Sequence, residues 1–133
     1  MENKYSGEER RRFQRVNVSF IVVYKVNQPV QVSMMLGNKE VHAIMSNLSI
    51  NGMSILTNYN LPAATIISSK FILLNEKAPK IMDRVKAIEV KGEVRYSRFI
   101  KELAYQLGIH FTDITDSDRS FIGEFIKRAE ETR

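Results

Sequence analysis

From residue 15 onward, apolar and polar positions begin to alternate. Val16, Val18, Phe20, Val22, Tyr24 and Val26 take turns with Arg15, Asn17, Ser19 and Lys25. A period of two marks a strand with one buried face, so a first strand is expected here. Ile21 and Val23 fall on its polar phase, which implies that part of that face is covered as well. Asn27-Gln28-Pro29 breaks the pattern. Residues 30–36 read as a short extended piece, and Gly37-Asn38 as a turn with hairpin chemistry. Val41, Ala43 and Met45 give another strand, residues 47–52 a polar turn, and residues 53–57 a short strand. After a loop at 58–62, residues 66–74 are apolar and β-branched at their start, as in a buried strand. A polar loop at 75–83 leads to a long strand over 85–97, with Ile88, Val90, Val94 and Tyr96 on one face and Gly92 as a bulge or bend. Leu103, Tyr105, Leu107, Ile109 and Phe111 alternate along the last strand, with Lys101-Glu102 at a hairpin tip.

The period then changes. Phe121, Ile122, Phe125, Ile126 and Ala129 form a stripe at helical spacing, preceded by candidate N-caps at 115–118. The stripe is read as packing onto the sheet, with an oligomer contact as the alternative. The fold class expected is all-β with one helix: a six-stranded antiparallel β-barrel plus a C-terminal amphipathic helix. Residues 1–9, with Ser6-Gly7 as a breaker, read as a flexible lead-in to one barrel domain over 10–133.

Composition narrows the function. At 133 residues the chain suits one domain. There is no cysteine, so disulfides, thiolate metal sites and cysteine catalysis are excluded. His42 and His110 stand apart without ligand partners, so no metal site is expected. Asp113, Asp116 and Asp118 suit a helix start better than a catalytic dyad. Nucleophile-elbow, phosphate-loop and zincin motifs are missing, and the chain is read as a non-enzyme without a cofactor. The polar N-terminus lacks the apolar core of a signal peptide, which points to the cytoplasm. The net charge of +5 favours an anionic partner without choosing one.

Two segments carry candidate chemistry. Arg10, Arg11, Arg12 and Arg15 cluster just before the first strand. A guanidinium fork matches phosphate oxygens two at a time, and it fits the O6 and N7 acceptors of guanine. Alone, such a run is as well read as a solvated basic terminus. The second segment is Asn47-Leu48-Ser49-Ile50-Asn51-Gly52. In an extended chain Asn47 and Ser49 share a face and offer amide and hydroxyl groups. Gly52 permits a positive φ or a close backbone approach to a ligand. Alone, this too reads as an ordinary polar turn.

Together the two segments resemble the PilZ domain family. Arg11 and Arg15 match its RxxxR motif, with Arg10 as the extra preceding arginine. Asn47, Ser49 and Gly52 match its (D/N)xSxxG motif. Leu107-Gly108-Ile109-His110-Phe111 looks like the strand before the family's C-terminal helix, and the resemblance runs from about Glu9 to the end. The interval from Arg15 to Asn47 is slightly long, and the extra length is assigned to the region 27–38.

The resemblance implies a receptor or adaptor for cyclic di-GMP (c-di-GMP) that changes conformation on binding. It would regulate motility, biofilm or exopolysaccharide output through a partner protein, as a monomer or homodimer. Arg11 and Arg15 would meet guanine edges and phosphates, joined by Arg10. Asn47 and Ser49 would bind from the other side, with Gly52 shaping the turn. One ligand molecule or an intercalated pair fits the family. Asn47 stands where Asp is commoner; an amide accepts a hydrogen bond but brings no carboxylate charge to a guanine N1–H and N2–H edge. Two alternatives remain at this point. One is a PilZ-like scaffold that binds a protein and no nucleotide. The other is a small barrel for single-stranded nucleic acid, which needs aromatics exposed on a sheet face. Most aromatics here, Tyr96 included, fall on the inward phase.

Overall fold

Val22, Tyr24 and Val26 point into a closed ring of strands and are buried there. The computed structural model describes residues 14–76 and 78–131; the expected lead-in 1–9 and Arg10, Arg11 and Arg12 lie outside the described residues. Strand β1 (Val16–Gln28) pairs antiparallel with both β2 (Val41–Leu48) and β4 (Ile66–Leu74). With β3 (Gly52–Thr57), β5 (Val85–Lys101) and β6 (Ala104–Asp113), the order is β1-β2-β3-β6-β5-β4 and back to β1. Every neighbouring pair is antiparallel. Closure leaves no unpaired sheet edge to recruit another chain. This is the six-stranded antiparallel architecture expected.

The inside is filled from every strand: Tyr24, Met45, Ile55, Ile67, Ile88 and Leu107 are wholly buried. Across this interior the Tyr24 hydroxyl and Thr57 Oγ1 form a hydrogen bond of 2.8 Å. It joins β1 to β3 over the intervening β2. Both partners are buried, so the bond satisfies groups that water cannot reach.

Two expectations about the first half need correction. Residues 30–36 are not extended: Val30–Met35 form a short helix, α1. Val32 and Leu36, four apart, turn their side chains inward, and the N–H groups of Val32 and Ser33 donate to the Pro29 carbonyl. Gly37-Asn38 is the stop signal of this helix and not a hairpin turn. Gly37 N–H donates to Met34 O (3.0 Å) and Asn38 N–H to Ser33 O (2.9 Å), with both residues at positive φ. That is the Schellman arrangement, which ends a helix with a left-handed residue. Val30 and Val32 are β-branched, but propensity is weak beside burial of one helical face. The second correction concerns covered faces. Ile21 is 67% exposed, so the outer face of β1 is not covered at that point. In β4 only alternate residues are buried, and Ile72 and Leu74 face solvent.

The terminal helix α2 (Asp116–Glu131) packs against the barrel through the expected stripe. Ile122 and Ile126 are buried, and Phe125 meets Phe20 of β1 with ring centroids 5.8 Å apart. Thr115 Oγ1 accepts from the Asp118 N–H at 3.1 Å, which makes Thr115 the N-cap. The Asp118 carboxylate then reaches back to β5: it pairs with Lys86 Nζ at 3.2 Å and accepts from the Glu89 N–H at 3.4 Å. Among the described residues no helix is long and apolar enough to cross a membrane.

Burial pushes the Tyr24 phenol up from 10.0 to about 12, against a smaller opposing effect of its Thr57 hydrogen bond. The folded chain therefore holds this proton at a pH where the unfolded chain has lost it. Stability from this source is complete below pH 10 and falls as pH rises towards 12, by at most ~1.4 kcal/mol per pH unit. Urea unfolding at pH 9 and pH 11 should show a loss on the order of 1 kcal/mol larger in the parent than in Tyr24→Phe. The variant should also be about 1–2 kcal/mol less stable at pH 9, because the buried Thr57 hydroxyl loses its partner. Equal pH slopes in the two proteins would refute the assignment.

Candidate ligand-binding site

One row of paired residues runs across five strands: Asn17 on β1, Asn47 on β2, Ser54 on β3, Gly108 on β6 and Tyr96 on β5. Their neighbours Met53, Ile55, Leu107 and Ile109 are buried in the core, so Ser54 and Gly108 lie on the outer phase. The row underlies a cleft of ≈ 390 Å³ in the outer wall. That volume is at the small end of ligand sites. Arg15, Asn47, Ser49 and Gly52 all line it, so four of the six residues singled out by sequence come together. The other two, Arg10 and Arg11, lie outside the described residues.

Local irregularities aim these side chains. The β2–β3 register shifts between Met45 and Asn47. As a result Met45 and Leu48, three apart, both reach the core, while Asn47 between them faces the cleft half-buried. Asn47 therefore belongs to the strand, and the polar turn is shorter than the sequence suggested. A second shift lies between Val94 and Tyr96 on β5. Val94 is fully buried, but Tyr96 is 46% exposed, which corrects its inward assignment: strict alternation fails across the bulge.

The Tyr96 ring lies over Gly108. A Cβ at position 108 would come within 2.0 Å of its Cε2, so only glycine leaves room for the ring. The hydroxyl extends across β6 to Ser54 Oγ at 3.4 Å, the long end of a hydrogen bond. Ser54 is thereby hidden, and one aromatic face is held against the wall of the cleft.

Ser49 is engaged within its own turn. Its Oγ accepts from the N–H of Asn51 (3.2 Å) and of Gly52 (3.1 Å) and donates to Gly52 O (3.3 Å). With Ser49 N–H donating to Gly52 O at 2.8 Å, the hydroxyl staples the turn internally and is buried. Gly52 is not in the left-handed region. Its smallness serves the approach of β3 to β6, since a Cβ there would meet Ile109 O at 2.3 Å.

The cleft is cationic. Arg15 and Arg95 line it together with His110, and among the described residues no carboxylate does. Arg15 is exposed and forms no ion pair among the described residues; Arg95 Nε lies 3.7 Å from Glu93 Oε1. Sequence reasoning missed Asn51, Ser54, Arg95 and Tyr96. The one available signal was Gly108 in an otherwise apolar alternation, because a glycine inside a strand often marks a close approach. Which residue approaches it depends on a register that the sequence does not display.

The sequence matches the family model described as PilZ domain over residues 9–128. No curated protein matches it. Among solved structures it is similar to the Bacillus subtilis inhibitor of motility MotI/DgrA, with a TM-score of 0.72, 14% identity, and coverage of 93% of this chain and 52% of that one. The chain thus spans about half the length of that relative. It is also similar to the PilZ domain of YcgR from Escherichia coli with c-di-GMP (TM-score 0.59, 13% identity, 92% of this chain, 93% of that one). The K. pneumonia MrkH–c-di-GMP complex gives a TM-score of 0.59 at 14% identity, covering 92% of this chain and 55% of that one. At such identities the likeness is one of fold, while the family model spans most of the chain. The barrel, its terminal helix and the matched sequence together place this chain in the PilZ domain family.

Proposed function

We propose that the chain is a cyclic di-GMP receptor, not an enzyme, which works in the cytoplasm and passes the signal to a partner protein. The observation that carries this reading is the convergence of Arg15, Asn47 and an exposed aromatic face on one cleft that no carboxylate lines among the described residues. The ligand has two phosphates and two guanines. Arg15 supplies a cationic fork for phosphate or the guanine O6/N7 edge. Asn47 supplies an amide for a base edge. Tyr96 offers its free face to a guanine ring, a contact worth about 1–3 kcal/mol in base-stacking sites. Ser49 and Gly52 contribute by shaping the turn. Arg10 and Arg11 would complete the cationic side from the leader. Two structurally similar proteins being c-di-GMP complexes supports the same ligand.

On this reading the leader closes over the cleft, because contacts made only in the closed arrangement draw the population towards it. The output would be motility, biofilm or exopolysaccharide control. Similarity to an inhibitor of motility supports the first of these. Among the described residues Tyr96 is the one Phe, Tyr or Trp lining the cleft, which fits a compact nucleotide better than a long single strand with its successive stacking positions.

Calorimetric titration should show binding of cyclic di-GMP and neither GTP nor a short RNA competing with it. Arg15→Ala should weaken binding by about 10- to 100-fold, the loss of one charge-assisted hydrogen bond, without lowering Tm. Wild-type affinity in this variant would remove Arg15 from the site; no heat with the parent protein would end the receptor reading. Tyr96→Ala should weaken binding by about tenfold or more, with Tyr96→Phe close to the parent, since stacking needs the ring and not the hydroxyl. Amide hydrogen exchange over residues 8–16 should slow on adding ligand; identical rates would exclude closure of the leader.

A further inference from the structure

Asn51 stands in the turn between Ser49 and Gly52 and lines the same cleft. It is held from three directions. Its N–H donates to Ser49 Oγ (3.2 Å), its carbonyl accepts from the Phe111 N–H of β6 (2.8 Å), and its side-chain Oδ1 accepts from Arg119 Nη1 of α2 (3.1 Å). The same Nη1 donates to the Ile50 carbonyl at 3.2 Å. Ile50 itself approaches α2 at Gly123, where an added Cβ would stand 3.9 Å from Ile50 Cγ2. A guanidinium has no acceptor, so only the oxygen of the Asn51 amide can face it. The nitrogen end is thereby turned away, and among the described residues Nδ2 donates to nothing.

We propose that Asn51 is a ligand-contacting residue whose Nδ2 donates into the cleft, and that Arg119 is the positioning residue that fixes it in that orientation. This rests on the receptor reading and adds a donor to it. An amide NH₂ so presented suits an acceptor: a phosphate oxygen or the O6/N7 edge of guanine. Asn47 and Asn51 then play different parts. The amide of Asn47 is free to present either end, whereas Asn51 is committed to donation by its neighbour. The arrangement also joins ligand and helix, because the residue that touches the nucleotide is bonded to α2.

The test is calorimetry with cyclic di-GMP on the parent, Asn51→Asp, Asn51→Ala, Arg119→Ala and the double variant Asn51→Ala/Arg119→Ala, with Tm for each. Asn51→Asp keeps an acceptor for Arg119, so the turn stays tethered, but replaces the donor with a carboxylate. It should bind at least about tenfold more weakly at an undiminished Tm. Arg119→Ala should weaken binding by about three- to tenfold in the parent background and by less than about twofold when Asn51 is already Ala, because residues acting through one contact are not additive. A merely structural arginine would lower affinity equally in both backgrounds, and that result would overturn its positioning role. Parent-like binding by Asn51→Asp would overturn the proposal while leaving the receptor reading intact. Failure of the parent to bind would overturn both.

Discussion

Strands β3, β6 and β5 can form the wall of a binding cleft because two side chains are missing from it. At Gly52 a Cβ would press within 2.3 Å of the Ile109 carbonyl, and at Gly108 within 2.0 Å of the Tyr96 ring. Close approach at the first lets the β2–β3 turn lie against β6, where Phe111 N–H reaches the Asn51 carbonyl. Space at the second lets an aromatic ring lie down on the outer surface. Add a methyl group at either and the register of β3 on β6, or the floor of the cleft, has to move. The polar residues that define the site are therefore downstream of a packing constraint in the backbone.

That constraint explains what could and could not be read from the sequence. The strands, their order of appearance and the terminal helix follow from period-two and helical patterns, and those patterns survive in the structure. Arg15, Asn47, Ser49 and Gly52 were legible because they fall at fixed spacings along the chain. Tyr96 was not. Its inward assignment assumed strict alternation after Val94, and the bulge between them reverses it. A bulge is one extra residue opposite a partner strand, and its position depends on pairings between residues far apart in sequence. The helix at Val30–Met35 was hidden for a related reason: six residues are too few to display a helical period, and the burial of Val32 and Leu36 on one face shows only in the fold.

Ser49 lines the cleft while its hydroxyl is bonded within its own turn. Its spacing from Asn47 suggested two side chains presented together to a ligand. In the structure β2 ends at Leu48, the chain turns, and the hydroxyl is consumed by the backbone of its own turn. Side-chain hydrogen bonds of this local kind are available to serine wherever the chain leaves regular structure. Under the receptor reading, loss of this hydroxyl would act on binding through the shape of the turn, whereas loss of the Arg15 charge would act on the ligand itself.

The same bonds constrain how a receptor of this build responds to its ligand. The turn is braced by Ser49 from within, by β6 from below and by Arg119 from α2, so the protein's own bonds hold this side of the cleft. A wall held by the protein's own bonds contributes affinity at little ordering cost, but it gives little differential binding between two states. A ligand shifts an equilibrium only by its preference for one state over the other. Under the receptor reading, that preference has to come from groups that meet the ligand in one arrangement and not in another. Arg15 is one such group to test: it lines the cleft at the strand entry and makes no ion pair among the described residues. On that reading the braced wall would serve selection of the ligand, and the response would depend on groups outside the wall.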